Sequence, residues 1–342
     1  MGKTSAEAIL NMRIKEADYL RAFAIITMVI WHCFVCPLTC WQLIDATTAT
    51  KIVSVLGSVA IPDANMPLFT FLAGYIFMYS LGNKSSYGNF CSFFKNKFKR
   101  LVIPFLVIGT AVCATAPDRY LTDIPFGEGS HLWYCMMLFW CFIISWLSHT
   151  KGNRKTDAII YLGSVLFATY CGSVWSTPFN LPFGLDNTFF YINYFIGGMY
   201  LYSYRDKLKE KINLKTIALL AILYIMICGM CLSYIPYLAH ALTIIKPSVY
   251  ILTLFAMVVY VTNSNLAAEP CNAITTLCKY SFGVYVFHEW LSWDCYHFQP
   301  LYDLFIQAPI LYAFVFTLLD FIVSITLTHY CLKTKIGKFL LA

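Results

Sequence analysis

The chain has 342 residues, of which 59% are hydrophobic and 12% charged, against roughly 25% charged in an ordinary soluble domain. This composition excludes a soluble globular protein and predicts an all-α, polytopic integral membrane bundle that forms one domain over residues 1–342. The net charge of +7 does not indicate a nucleic-acid partner, because the Lys and Arg lie in short clusters between apolar segments, as they do in membrane proteins.

Apolar segments of about 17 to 25 residues predict about ten membrane-spanning helices. They cover approximately residues 19–38, 64–82, 99–116, 131–148, 157–175, 187–204, 215–236, 240–262, 278–296 and 306–332. The run 51–62 is too short to span the bilayer alone, and we interpret it as a re-entrant or interfacial helix that leads into the second span.

The basic residues predict the orientation of the spans. With the N-terminus in the cytoplasm, nearly all Lys and Arg fall on the cytoplasmic side, and only Lys51, Arg119 and Lys246 lie on the other. Both termini are therefore predicted to be cytoplasmic, with tails at residues 1–18 and 333–342. The loops are short, so any chemistry has to take place within the bundle or at its mouths.

The first span, DYLRAFAIITMVIWH, carries Arg21 and His32 on one face. They are eleven positions apart, which is three turns plus roughly 20°, so the side chains lie about 16 Å apart along the same side of the helix. Ionisable groups in hydrocarbon usually face a bundle interior or a watery cavity, which favours a functional site. Asp18 is placed to orient Arg21 as its i,i+3 partner. The alternatives are an interfacial anchor for Arg21 and a structural hydrogen bond for His32.

A basic cluster precedes the third span, in the segment KNKFKRLVIP. It consists of Lys95, Lys97, Lys99 and Arg100 at the predicted cytoplasmic mouth. One interpretation is a topology signal that contacts lipid headgroups, and the other is an electrostatic funnel for a phosphate-rich ligand. The sequence leaves both open.

The ninth span, YSFGVYVFHEWLSWD, carries a second histidine at depth. His288 lies about 14 Å in from the cytoplasmic start of its helix, which matches the expected depth of His32. Glu289 is adjacent, but successive helical residues point about 100° apart, so it need not share the same cavity. The two histidines predict a shared polar site, with chance pairing as the alternative.

Towards the outer face, two further segments carry polar and aromatic residues. NMPLFTFLAGYIF begins at Asn65 and HLWYCMMLF begins at His131. Trp133 and Tyr134 are either belt aromatics of the membrane interface or a platform for a sugar ring.

Taken in order, these segments resemble the acyltransferase family 3 membrane proteins, the polytopic O-acetyltransferases of surface polysaccharides. The resemblance runs through most of the chain. It rests on the Arg, ten residues, His spacing, NMPLFTFLAGYIF (the family's MPLFFFLSGY), KRLVIPFLV, HLWYCMMLF (HLWFL), FIGGMYLY, YSFGVYVFHEW (SYGIYLFH) and KTKIGKFLL. Ala73 stands where the family usually has Ser before Gly74, so no role for that hydroxyl is carried over.

The resemblance implies transfer of an acyl group, usually acetyl, from acetyl-CoA or another acyl-CoA to a hydroxyl of a lipid-linked or exported glycan at the cytoplasmic (plasma) membrane of a bacterium. The expected catalytic residues are His32, Arg21 and His288. The expected binding residues are Arg21, Lys97, Lys99 and Arg100 for the donor, and Asn65, His131, Trp133 and Glu289 for the acceptor. His32 would act as general base or carry the acyl group transiently, and the sequence does not choose. No metal is expected, because no metal-ligand spacing is visible.

A proton-coupled carrier is the alternative function. In a carrier, His32, His288 and Asp320 would form a proton relay and the basic cluster would attract an anion. Such a protein predicts internal symmetry between the two halves of the chain, which the sequence does not show. A receptor or assembly partner without chemistry is a third class, and the register of Arg21 with His32 argues against it.

Overall fold

The computed structural model describes residues 14–35, 64–83, 87–115, 121–126, 130–172, 181–232, 236–264, 270–296 and 298–341. Across these ranges the fold is all-α, as predicted, and contains no strand. The run 51–62, predicted to be re-entrant or interfacial, lies outside the described residues.

The α-helices follow one another closely along the chain and vary from 7 to 28 residues in length. They are α1 (Lys15–Ile30), α2 (Asn65–Asn83), α3 (Phe90–Lys97), α4 (Ile103–Thr115), α5 (Trp133–Thr150), α6 (Arg154–Cys171), α7 (Leu185–Lys209), α8 (Leu214–Leu232), α9 (Pro236–Asn263), α10 (Asn272–Tyr296), α11 (Gln299–Gln307), α12 (Pro309–Cys331) and α13 (Lys335–Leu341). A π-helical turn follows α1 at Trp31–Val35, and a second joins α3 to α4 at Phe98–Val102. Short 3₁₀ turns lie at Leu121–Phe126, Ser130–Leu132 and Pro182–Gly184.

Long helices occupy the predicted spans wherever the structure describes them. Among the described residues, four helical segments are long and apolar enough to cross a bilayer by length and composition alone, at Phe90–Thr115, Leu214–Cys231, His240–Asn263 and Ile310–Cys331. The chain is a helical protein with membrane-spanning segments, and the number of ten spans and the cytoplasmic termini stay predictions. Helix α1 begins at Lys15, inside the predicted N-terminal tail, and α13 lies inside the predicted C-terminal tail.

Helix α1 lies in the interior of the bundle. It contacts α2, α9, α10 and α12, and its side chains Leu20, Ile25 and Met28 are fully buried. A helix enclosed on several sides has apolar residues around most of its circumference, which explains its weakly amphipathic sequence. The interior position of α1 brings the π-helical turn at its end, with His32, against α10 and α12.

Helices α2 and α7 cross closely through reciprocal glycines. A Cβ atom on Gly74 would overlap the backbone carbonyl of Phe195, and a Cβ on Gly198 would overlap that of Phe71. Small residues let helix backbones approach in this way in membrane proteins. Two glycines of the resemblance motifs, in FLAGY and FIGGM, therefore act in packing.

Aromatic side chains anchor the basic helix α3 against the bundle. The Phe93 ring lies 5.8 Å from Phe77 and 6.1 Å from Trp146, centroid to centroid. The indole nitrogen of Trp146 donates to the backbone carbonyl of Tyr87 at 2.7 Å. Pro104, in the first turn of α4, has no N–H and cannot donate a hydrogen bond to the turn before it. The π-helical turn Phe98–Val102 lies at this break in the hydrogen-bond pattern. The aromatic packing thus fixes the position of α3, which carries Lys95 and Lys97.

Candidate active site

Three histidines and one glutamate from separate parts of the chain converge in the bundle. His32 lies on the π-helical turn after α1, His131 on the 3₁₀ turn before α5, and His288 and Glu289 on α10. The ring of His288 lies 4.8 Å from that of His32 and 5.3 Å from that of His131, edge to face. A carboxylate oxygen of Glu289, Oε2, lies 3.2 Å from Nδ1 of His131 and 4.0 Å from Nε2 of His32. The structure therefore joins two expected catalytic residues with two expected acceptor-binding residues.

Burial distinguishes His32 from the other two histidines of this histidine–glutamate cluster. The side chain of His32 keeps 16% of its surface exposed, whereas that of His131 keeps 5% and His288 is fully buried. His32 is therefore the ring best placed to meet a substrate.

Each imidazole is oriented by a hydrogen bond to a backbone carbonyl. Nδ1 of His32 lies 2.9 Å from the carbonyl oxygen of Met28, and Nδ1 of His288 lies 2.8 Å from that of Tyr285. Because a carbonyl can only accept, these nitrogens carry the proton and donate. In neutral His32 the lone pair is then on Nε2, the nitrogen that faces Glu289. A ring held in this state is suited to act as a base.

His131 and Glu289 have to share a proton. Nε2 of His131 lies 3.1 Å from the carbonyl oxygen of Val286 and donates to it, while Nδ1 faces the Glu289 oxygen. A neutral imidazole has no second N–H, so the contact at Nδ1 requires a proton on either the ring or the carboxyl group. The hydroxyl of Tyr285 donates to the backbone carbonyl of His131 and fixes that turn on α10. The cluster therefore places a proton donor pair beside the base His32.

Helix α12 supports the π-helical turn that carries His32. The thiol of Cys33 donates to Oδ2 of Asp320 at 3.4 Å, and the hydroxyl of Ser324 donates to Oδ1 at 2.9 Å. Asp320 is fully buried, and among the described residues its hydrogen bonds are with Cys33 and Ser324 and not with a histidine. The structure thus places Asp320 beside the residue that follows His32, and the direct relay expected for a carrier has no contact to support it.

The other expected residues lie on α1, α2 and α5 and have contacts of their own. Nη1 of Arg21 lies 4.0 Å from Asp18, and three helical turns separate Arg21 from His32, so it is outside the cluster. Oδ1 of Asn65 is buried and accepts from the hydroxyl of Thr27 at 2.7 Å, which ties α2 to α1. The ring of Trp133 lies 5.6 Å from that of Tyr191 on α7.

The basic cluster divides between two sides of its helix. Nζ of Lys97 lies 3.4 Å from the ring centroid of Phe142, so this side chain turns towards the bundle. Lys95, Lys99 and Arg100 line a surface groove together with Lys338 of α13. The expected donor-binding residues of this cluster are thus divided, with Lys97 against the bundle and Lys99 and Arg100 in the groove. Lys338 is a member of the groove that the sequence did not indicate.

The donor atoms in the cluster also form a set that can hold a metal ion. One ring nitrogen each of His32 and His288 and one oxygen of Glu289 lie within 4.8 Å of one another. Imidazole and carboxylate are common zinc ligands. The expectation of a metal-free site stays a prediction.

The described residues form an all-α protein with membrane-spanning segments, and its buried histidine–glutamate cluster holds groups that acid–base chemistry uses. The chain belongs to acyltransferase family 3: the family model described as an acyltransferase domain matches residues 14–329, nearly the whole chain. The match confirms the resemblance, and the protein is a membrane acyltransferase. Comparisons with curated proteins and with solved structures gave no match.

Proposed function

We propose that the protein is a membrane O-acyltransferase that moves an acyl group, in the simplest case acetyl, from cytoplasmic acyl-CoA to a hydroxyl of a lipid-linked or exported glycan. The observation that carries this proposal is the histidine–glutamate cluster, which puts a base beside a proton donor in the interior of an acyltransferase. Acyl transfer to a hydroxyl needs both, because the nucleophile has to lose a proton and the thiolate leaving group has to gain one.

The reaction can be written on the residues of the cluster. Nε2 of His32 takes the proton of the acceptor hydroxyl as its oxygen attacks the thioester carbonyl carbon. The new C–O bond forms, the C–S bond breaks, and the coenzyme A thiolate takes the proton held between His131 and Glu289. His32 then returns its proton to Glu289, whose Oε2 lies 4.0 Å from Nε2. His288 contacts the rings of His32 and His131 and holds both in position.

The two substrates are assigned to opposite faces of the membrane. Arg21 lies near the start of α1, on the predicted cytoplasmic side with the basic residues, and its planar guanidinium suits a phosphate or carboxylate of the donor. Asn65 and Trp133 lie on the predicted outer side, where the Trp133 and Tyr191 rings are suited to a sugar. The acyl group would cross the bundle at His32, while coenzyme A stays on the cytoplasmic side and the glycan stays on the outer side.

The proposal is tested with the purified full chain and acetyl-CoA, with membranes that contain lipid-linked glycans as the acceptor. The released coenzyme A thiol is measured, and the acetyl group is located in the glycan by mass spectrometry. We expect acceptor-dependent thiol release that disappears in His32→Ala. His329→Ala, a histidine exposed near the end of α12, is the matched control and should keep wild-type activity. Thiol release that needs no His32, or no acetyl ester on the glycan, would contradict the proposal.

A further inference from the structure

A cavity of about 120 Å³ lies at the end of α5 that is predicted to be cytoplasmic, where the start of α6 and the second half of α7 meet. This volume is several times what one water molecule requires. The lining includes ionisable side chains of α5 and α6 and two tyrosines of α7: His149, Arg154, Asp157, Tyr200 and Tyr204. The histidine–glutamate cluster lies at the other end of α5, because Trp133 follows the turn of His131 and His149 is about 24 Å further along the helix axis. The cavity is therefore a separate site.

A histidine–aspartate pair lies in the wall of this cavity. Asp157 is fully buried, and its Oδ1 accepts from the hydroxyl of Ser148 at 2.6 Å. Its Oδ2 lies 2.9 Å from Nδ1 of His149, which is the one cation paired with it in the part of the chain that the structure describes. Asp157 lies in the first turn of α6, where the positive end of the helix dipole favours an ionised carboxylate.

The charge of Asp157 determines the state of His149. A buried carboxylate is stable only when it is paired with an opposite charge, so the pair favours the imidazolium form of His149. Both nitrogens of an imidazolium are donors. Nδ1 donates to Asp157, and Nε2 has no partner among the described residues. The N–H at Nε2 is therefore the donor that His149 keeps for a ligand.

Arg154 brings a second positive charge to the cavity. Within the described ranges its exposed guanidinium forms no ion pair and no hydrogen bond. Its backbone carbonyl accepts from the hydroxyl of Tyr200 at 3.2 Å, which ties the start of α6 to α7. The backbone N–H groups of Lys155 and Thr156 donate to the side chain of Asn153, so they serve the cap of α6. A ligand in the cavity would thus be held by side chains.

We propose that this cavity binds a phosphate group, with the guanidinium of Arg154 and the Nε2–H of His149 as its two charged donors. A guanidinium gives two parallel N–H donors to phosphate oxygens, and such charge-assisted hydrogen bonds are about twice as strong as neutral ones. The carboxylate of Asp157 offsets the charge of His149, so the charge of Arg154 is left for an anion. The hydroxyl of Tyr204, which has no hydrogen bond among the described residues, supplies a neutral donor.

Two sources of phosphate reach this position: phospholipid headgroups of the predicted cytoplasmic leaflet and free phosphate in solution. The exposed apolar side chains of Ile159, Leu162 and Leu166 follow Arg154 on α6 and are suited to contact acyl chains. These side chains favour the headgroup of an anionic phospholipid as the source. Phosphate binding here is independent of the acyl donor and of the acceptor, because the cavity is remote from His32 and its neighbours.

Lipid retention by the full chain tests the proposal. The chain is reconstituted in nanodiscs of phosphatidylcholine with added phosphatidylglycerol, and native mass spectrometry counts the phosphatidylglycerol molecules that it retains. Binding of phosphatidylglycerol should be roughly tenfold weaker in Arg154→Gln and in His149→Gln, because each variant removes one charged donor. Lys155→Gln changes an exposed lysine beside Arg154 that does not line the cavity, and this matched control should bind as the wild type does. Arg154→Lys keeps the charge and should lose less binding than Arg154→Gln, which guards against misfolding.

A second arm separates the lipid headgroup from free phosphate. Binding of radiolabelled inorganic phosphate to the same variants is measured in detergent without phospholipid. Phosphate binding that depends on Arg154 and His149, with unchanged retention of phosphatidylglycerol, would assign the cavity to free phosphate. Absence of binding in both arms, or equal binding by the wild type and Arg154→Gln, would overturn the proposal. An equal loss in Lys155→Gln would also overturn it, because the general surface charge would then explain the effect.

Discussion

Nδ1 of His131 and Oε2 of Glu289 lie 3.2 Å apart and hold a proton between them, because the other nitrogen of His131 already donates to the carbonyl of Val286. His32, on the other side of Glu289, has its own N–H directed at Met28 and its Nε2 directed at the carboxyl group. The carboxyl group of Glu289 thus lies between His32, whose Nε2 carries a lone pair, and His131, whose two ring nitrogens both make hydrogen bonds. This relationship gives the cluster separate basic and acidic members at one site.

Glu289→Gln should reduce acyl transfer by about 10²-fold to 10⁴-fold with little change in the apparent constant for the donor, because the amide keeps the size and can bond to His131 but supplies no proton for the leaving thiolate. The measurement is kcat and KM for acetyl-CoA. Glu210→Gln, an exposed glutamate at the end of α7, is the control. Near wild-type turnover in Glu289→Gln would exclude the carboxyl group from the proton path.

Asp320→Asn should keep most of the acyl transfer activity, with a loss below about tenfold, or roughly 1.4 kcal/mol. The amide oxygen can still accept from Cys33 or Ser324, and the carboxyl group has no hydrogen bond or ion pair with a histidine in the described structure. Asp320→Ala should instead lower the free energy of unfolding by about 1–3 kcal/mol, since it leaves buried donors without an acceptor. Full loss of function in a folded Asp320→Asn would favour the proton relay of a carrier.

Gly198→Ala should destabilise the protein by about 1–3 kcal/mol, because the added methyl group overlaps the carbonyl of Phe71 across the α2–α7 crossing. Gly197→Ala is a matched control on the same helix, since a Cβ there has no atom within 4 Å. Thermal unfolding in detergent measures both. Equal melting temperatures for the two variants would show that the crossing can relax at little cost.

Treatment with a metal chelator should leave acyl transfer unchanged, since the proposed reaction uses only protons and side chains of the cluster. His32, His288 and Glu289 are close enough to hold an ion, so the outcome decides between two uses of the same residues. Elemental analysis of the purified protein accompanies the activity assay. Stoichiometric zinc, with activity lost on chelation and restored by zinc, would contradict the metal-free mechanism.

The helices could be predicted from the sequence because length and apolar period are local properties. The shared face of Arg21 and His32 stays a prediction, because it used α-helical geometry throughout and His32 lies on the π-helical turn Trp31–Val35. The position of Glu289 could not be predicted in this way. Adjacent residues point about 100° apart, and Glu289 nevertheless shares a cluster with His288 because His131 and His32 approach α10 from two other elements.

The basic cluster shows the same limit. Lys97 and Lys99 are two positions apart on a helix, so they point to different sides, but the sequence does not say which side faces Phe142 and which faces solvent. Lys338 joins the groove only because α13 folds back on α4. Contacts between distant segments depend on packing, and the sequence pattern of each segment does not contain them.

The central claim, that an acyl group passes from a cytoplasmic donor through His32 to an acceptor on the opposite face, is tested most directly in inside-out vesicles that contain the wild type or His32→Ala. Acetyl-CoA labelled in the acetyl group and, separately, in the adenine ring is added outside, where the cytoplasmic face is exposed, and the acceptor is enclosed in the lumen. The account predicts acetyl label on the enclosed acceptor with the wild type, none with His32→Ala, and no adenine label in the lumen with either. Adenine label that crosses the membrane, acetylation only when donor and acceptor are on one face, or equal labelling by His32→Ala would contradict it.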